Sequence, residues 1–180
     1  TTNDYSLGIE QSGEYEIAEL TKNINNMMVT INSEVNKNEK NTQKLLAQQN
    51  TMERIANFDG LTNLPNRECF MEILKVSLAN ARRENINVAL MFIDLDGFKD
   101  VNDNYGHTVG DQLLIDVSKR MKRCLRDGDI LSRLGGDEFL MLLPNDPDDS
   151  ILMGIAERIL DELKHPFEIG SWLISVGASI

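Results

Sequence analysis

At 180 residues and 20.3 kDa, the chain has room for one globular domain and an appendage, not for two full domains. Apolar residues at 41% and charged residues at 26% are the balance of a core-forming protein and argue against global disorder. With 18 Lys and Arg against 29 Asp and Glu, the net charge of −11 disfavours sequence-blind binding to nucleic acid, which relies on many Lys/Arg–phosphate contacts.

The N-terminal stretch TTNDYSLGIEQSG lacks the basic start and the apolar run of a signal peptide, and no apolar run approaches the ~20 residues that span a bilayer. Over residues 14–57, Ile17, Leu20, Ile24, Met27 and Ile31 recur at steps of 3 and 4, the seam of an amphipathic helix. The seam continues through Val35, Asn38, Thr42, Leu45, Gln49, Met52 and Ala56, with a stutter where two steps of 4 follow one another at Met27–Ile31–Val35. No Pro or Gly interrupts residues 14–57. Asn38, Thr42 and Gln49 weaken the seam, although a seam Asn also fixes register and favours two strands. A solvated helix packed on its own domain is the plain alternative. The length favours an extended dimerising helix.

Phe58–Arg67 (FDGLTNLPNR) breaks the helix with Gly, Pro and Asn/Asp residues. A second helix is expected from Asn66 through Phe70, Ile73, Leu74 and Leu78 to about Arg83, then a buried strand over 87–95 (NVALMFIDL). Gly110 to Arg123 places Leu113, Leu114, Val117 and Met121 at helical spacing, after a stretch read as a loop. Two strands, 129–134 and 139–143, flank Gly135-Gly136-Asp137-Glu138 as a hairpin. Ile151–Leu163 reads as a helix, and 167–169 with 172–180 as a second hairpin about Gly170-Ser171. Cys69 and Cys124 form no metal or disulfide pattern and are expected in the core. The chain starts without Met and ends on SVGASI inside an apolar run, as a fragment cut at both ends would. This order predicts an α+β fold with a mainly antiparallel sheet and helices packed on it.

Asp94 ends the first strand, and Asp137 and Glu138 sit at the hairpin tip. If the hairpin pairs with that strand, the three acids converge at one sheet edge. Hard oxygen donors so gathered suit Mg²⁺ or Mn²⁺, held by a few carboxylates and the phosphates of a substrate. Two such ions can activate a hydroxyl and steady a leaving pyrophosphate. Each acid alone reads equally as a solvated turn residue, and the glycine pair as no more than a turn that permits close approach of a ligand.

The run Arg133-Leu134-Gly135-Gly136-Asp137-Glu138-Phe139 resembles the GGDEF signature of diguanylate cyclases. The resemblance covers about residues 58–180. It includes Asp59-Gly60-Leu61-Thr62…Asn66-Arg67 (DxLTxLxNR), Phe92–Lys99, and Asn102-Asp103…Gly106-His107…Gly110-Asp111. It implies a palm-like fold, as in nucleotide cyclases and polymerases, and the condensation of two GTP into cyclic di-GMP. It implies two Mg²⁺ or Mn²⁺ per active-site half, held by Asp94, Glu138 and the carbonyl of Leu95, with Asp137 metal-linked and essential. Gly135 and Gly136 would line the nucleotide, Phe98 and Lys99 approach the phosphates, and Asn102 and Asp111 read guanine. A carboxylate accepts from two adjacent guanine N–H donors, which adenine does not offer; the plain alternative for Asp111 is a helix N-cap. Arg126 and Asp129 match an RxxD inhibitory site for the cyclic di-GMP product, and as bare residues are a charged turn.

Upstream, Glu14-Tyr15-Glu16-Ile17-Ala18-Glu19-Leu20…Asn25-Asn26-Met27 is similar to the second helix of a HAMP domain, with Tyr15 and Ala18 departing from its pattern. The domains expected are therefore 1–57, HAMP-like and coiled coil, and 58–180, a catalytic domain cut short at its C-terminus. The resemblance implies a homodimer, with the chain at the cytoplasmic side of the bacterial inner membrane as the soluble output of a membrane receptor. In the family a further helix brings a Lys and an Arg to the triphosphate, and no position here corresponds; weak GTP binding and poor turnover are expected. A non-catalytic module that senses GTP or cyclic di-GMP is the alternative, set against by the intact Asp94 and Gly135–Glu138.

Overall fold

The computed structural model describes residues 6–144 and 147–180, whose contacts fall into two compact units parting between Thr51 and Met52. Helix α1 (Ser6–Asn57) starts ahead of the expected residue 14 and takes in Gly8 and Gly13. A helical Gly costs about 1 kcal/mol relative to Ala but adds no clash, so the helix continues through both. The side chain of Glu14, at the start of the HAMP-like motif, lies outside the described residues. The seam is exposed along its length, from Ile17 (67%) and Ile24 (49%) to Val35 (47%) and Met52 (70%). The hydroxyls of Thr21, Thr30, Thr42 and Thr51 donate to carbonyls one turn back, 2.8–3.0 Å away, so these polar residues are satisfied within the helix. No described helix is long and apolar enough to cross a membrane.

In the second unit, Asn66 stops one helix and starts the next. Its backbone N–H donates to the Asn57 carbonyl at 2.9 Å and its Nδ2 to Ala56 at 2.8 Å, while its Oδ1 accepts from the Cys69 N–H at 3.0 Å as the N-cap of α2 (Arg67–Glu84). The chain then forms β1 (Ala89–Asp96), α3 (Phe98–Tyr105), α4 (His107–Arg123), β2 (Ile130–Gly135) and β3 (Glu138–Leu143). Asp148 caps α5 (Asp149–Lys164), and β4 (Phe167–Ile169), β5 (Trp172–Ile174) and β6 (Gly177–Ser179) follow.

The main sheet is antiparallel in the order β2-β3-β1-β6, with β1 and β3 at its centre. Alternation sends Ile93, Leu95, Leu131, Phe139, Met141 and Leu143 to one face, buried against α4 (Leu113, Val117, Met121) and α5 (Ile155, Ile159, Leu163). On the other face Phe70 of α2, fully buried, packs with Leu140 and Leu142. The architecture is the expected α+β layer.

Three expectations are corrected. The segment read as a loop before Gly110 holds α3, whose only buried side chains are Phe98 and Val101, three residues apart. Two apolar residues among polar ones give no helical period by themselves, and packing on the core supplies the rest. The single strand expected over 172–180 is two: β5 pairs with β4, and beyond Ser175-Val176 β6 pairs with β1. Apolar alternation marks a strand but does not name its partner. Cys124 is buried as expected, whereas Cys69, also a free thiol, is only half-buried on α2.

Candidate active site

The hairpin between β2 and β3 turns on Gly135 (φ +147°) and Gly136 (φ +55°). A Cβ at either position would meet nothing within 4 Å, so it is the backbone conformation that demands glycine. The turn delivers Glu138 as the first residue of β3, directly opposite Asp94 of β1. Directly opposed residues share a face with Cβ atoms about 4.5–5.5 Å apart. Both carboxylates are exposed and line a cleft with Phe92, Leu134, Phe139 and Ile180.

The expected convergence of three acids is therefore met by two. Asp137 stays in the turn, and among the described residues no three His, Cys, Asp or Glu side chains gather as metal ligands. A pair of carboxylates still fits Mg²⁺, which keeps several waters and is bound through one or two carboxylates together with substrate phosphates. Leu95, whose carbonyl the resemblance adds to that set, has its side chain buried in the core, which holds this stretch of β1 in place.

A brace that the motifs alone did not reveal holds the hairpin. Arg133 donates from Nε and Nη2 to the Gly136 carbonyl at 2.9 and 2.7 Å, and from Nη1 to Asp59 Oδ1 at 2.9 Å. The same Asp59 oxygen accepts from the Thr62 N–H at 2.8 Å and the Thr62 hydroxyl at 2.6 Å. Ser132 Oγ donates to the Pro65 carbonyl at 2.7 Å. The DGLTNLPNR segment is thus tied to the strand that carries the glycine turn. The Asp59 and Arg133 side chains are only 21% and 10% exposed, too little for solvent to screen the pair fully.

Burial pushes the Asp59 carboxyl up, but the Thr62 hydrogen bonds and the Arg133 guanidinium outweigh it and hold the group below the ordinary carboxylate range. Because its native pKa is lowered, its stabilisation is present above the unfolded-state pKa and is lost as pH falls through the native one. Asp59→Asn is expected to lower stability near neutral pH by ~1–3 kcal/mol. The gap to wild type should narrow as pH falls below the ordinary carboxylate range and through the lowered native pKa. Thermal melts of both proteins across that range check this, and a gap independent of pH would contradict it.

The two residues expected to read guanine lie on α3 and α4. Asn102 lies on α3 with its side chain against Gly110, and Asp111 is the next residue of α4. The N-cap of α4 is Gly106, so Asp111, in the second turn and exposed, is not a cap. Phe98 and Lys99 open α3 immediately after Gly97 (φ +75°), whose position has no side-chain cap. Phe98 is buried and Lys99 exposed, which leaves the ammonium free to reach outward from a helix N-terminus.

Arg126 and Asp129 close a separate turn at the other end of β2. Asp129 Oδ2 accepts from the Arg126 N–H at 3.0 Å and Gly128 takes φ +99°. The length of β2, roughly 20 Å at the usual rise, separates this turn from the glycine hairpin. With Arg126 exposed, it borders a cleft lined by Phe58, Asn63, Pro65 and Lys122.

Residues 56–180 match the domain family described as "Diguanylate cyclase, GGDEF domain". Over 122 residues, 68% of this chain and 18% of the relative, the chain is 44% identical to the cyclic di-GMP phosphodiesterase PdeR of Escherichia coli. Over 167 residues, 92% of this chain and 37% of the relative, it is 32% identical to the diguanylate cyclase TpbB of Pseudomonas aeruginosa. The crystal structure of the coiled coil and GGDEF domain of DgcB from Caulobacter crescentus, in complex with c-di-GMP, superposes with a TM-score of 0.73 at 27% identity, covering 83% of this chain and 80% of that one. The chain thus spans well under half the length of these two full-length relatives.

Proposed function

The chain belongs to the GGDEF family of diguanylate cyclase domains, and from that premise we propose that it condenses two molecules of GTP into cyclic di-GMP with release of pyrophosphate. The observation that carries this reading is the cross-strand pairing of Asp94 with Glu138 at the mouth of the glycine turn. Asp94, Glu138 and the Leu95 carbonyl are the groups that would hold Mg²⁺ or Mn²⁺, two per half, with Asp137 beside them at the turn. When bound, such ions supply the positive charge that activates the 3′-hydroxyl and steadies the departing pyrophosphate.

The protein's own groups do the rest. Gly135 and Gly136 admit the nucleotide to the turn, and the backbone at Phe98 and the ammonium of Lys99 meet its phosphates. The Asn102 carboxamide and the Asp111 carboxylate hydrogen-bond the guanine edge. In each half, the 3′-hydroxyl of one GTP attacks the α-phosphate of the other, so two halves must face one another. The exposed seam of α1 supports a homodimer that brings them together by raising their effective concentration. The HAMP-like start of that helix supports a place downstream of a membrane-anchored sensor.

The turn at Arg126 and Asp129 is the site at which cyclic di-GMP would inhibit the enzyme. Arg126→Ala is expected to relieve product inhibition by about tenfold or more, since a bidentate guanidinium–phosphate contact is lost, while initial rates at low product stay near wild type. Progress curves with added cyclic di-GMP read this out; unchanged inhibition would remove the assignment.

The function itself is tested by incubating the protein with GTP and Mg²⁺ and identifying the product by mass. A second reading, a module that binds GTP or cyclic di-GMP without turnover, draws support from the 44% identity to a protein named as a phosphodiesterase. Nucleotide binding with no cyclic di-GMP formed would favour it.

A further inference from the structure

We propose that Gly110 is a positioning residue for base recognition: the missing side chain at this helical position makes the space in which the Asn102 carboxamide rests, beside Asp111. The inference rests on the reading of Asn102 and Asp111 as the guanine contacts. Glycine is not needed at 110 for its backbone, which has no positive φ. It lies in the interior of α4, where alanine would form the better helix. Its reason is steric. A Cβ at Gly110 would stand 2.0 Å from Asn102 Oδ1, 3.0 Å from Asn102 Cγ and 3.4 Å from Cζ of Phe98.

Neither helix has room to yield. The Asn102 carbonyl accepts from the Gly106 N–H at 2.9 Å, and the Gly106 carbonyl accepts from the Gly110 N–H at 3.1 Å, which ties the two residues through one connection. Phe98 and Val101 of α3 are buried in the core, so α3 does not back away freely. A methyl group at 110 therefore rotates the Asn102 carboxamide off its place. Among the described residues no hydrogen bond within the chain occupies that carboxamide. Its donors and acceptor remain for a ligand. A carboxylate such as that of Asp111 accepts hydrogen bonds but donates none, so a guanine reader that loses the neighbouring amide loses part of its pattern.

Binding of GTP and of ATP, each with Mg²⁺, is to be measured by calorimetry for the wild type, Gly110→Ala, Asn102→Ala and the double variant, together with their melting temperatures. Gly110→Ala is expected to weaken GTP by about tenfold or more with little change for ATP, because only the matched base loses a partner. Asn102→Ala should do the same, and the double variant should bind GTP no more weakly than Asn102→Ala alone. With Asn102 removed, Gly110→Ala should raise the melting temperature, since alanine then gains helix propensity without a clash. Wild-type GTP affinity in Gly110→Ala, or losses that add in the double variant, would overturn the inference while leaving the guanine reading in place. Wild-type affinity in Asn102→Ala would overturn the guanine reading and the inference with it.

Discussion

Glu138→Ala is expected to abolish formation of cyclic di-GMP, by at least about a thousandfold, and to leave the fold intact. The two halves of that expectation have separate grounds. Glu138 is exposed at the first position of β3, and its ladder with Asp94 and Gly135 runs through the backbone, which alanine keeps. Exposed substitutions of this kind usually change stability by no more than about 0.5 kcal/mol. Activity is another matter, because Glu138 is one of the two opposed carboxylates that, with the Leu95 carbonyl, are proposed to hold the ions. A thousandfold loss corresponds to about 4 kcal/mol of transition-state stabilisation, within what a catalytic metal site contributes. Asp94→Asn should match it, and the double variant should be no worse than either, because both side chains serve one ion set. Quantifying product by chromatography alongside a thermal melt separates the effects. Near wild-type turnover in Glu138→Ala would remove the active-site assignment.

Charging the α1 seam should have the second largest effect. Ile24→Asp combined with Ile31→Asp is expected to turn a dimer into a monomer and to make the rate of product formation rise with the square of protein concentration. Ile17, Leu20, Ile24, Met27, Ile31 and Val35 form one stripe that stays exposed on the single chain. A stripe of that size on a lone helix calls for a partner. Apolar seam positions are where a coiled coil buries its knobs, so two carboxylates facing their copies there carry both desolvation and repulsion. The proposed chemistry needs two GTP-loaded halves, so loss of the dimer should lower the rate most at low protein concentration. Light scattering coupled to gel filtration gives the mass, and rates over a hundredfold concentration range give the order. A dimer that survives both substitutions, or a fully active monomer, would show that the helix is not what joins the halves.

Much of this molecule was legible in the residues before any coordinates. The steps of 3 and 4 along α1, the break at FDGLTNLPNR, the helix start at Asn66, the glycine hairpin and the helix around Ile155 are local signals, each complete within one or two turns of chain. Family membership was legible for the same reason, since its motifs are short contiguous runs. What local pattern left undecided was which segments pair. The acids of the first strand and the hairpin could be seen as candidates, but only the β1–β3 register makes Asp94 and Glu138 direct neighbours, with Asp137 in the turn beside them. The same holds for α3, formed on two buried side chains, and for the division of 172–180 between two sheets. It holds also for the Arg133–Asp59 brace, which joins residues 74 positions apart, and for Asn102 resting in the space that Gly110 leaves. Helical period, capping and turn chemistry are energies between near neighbours in the chain, so the sequence by itself determined most of the elements and the family. Register, cross-sheet pairing and side-chain juxtaposition are decided by burying a shared core across long separations, a constraint that exists only once the chain has folded.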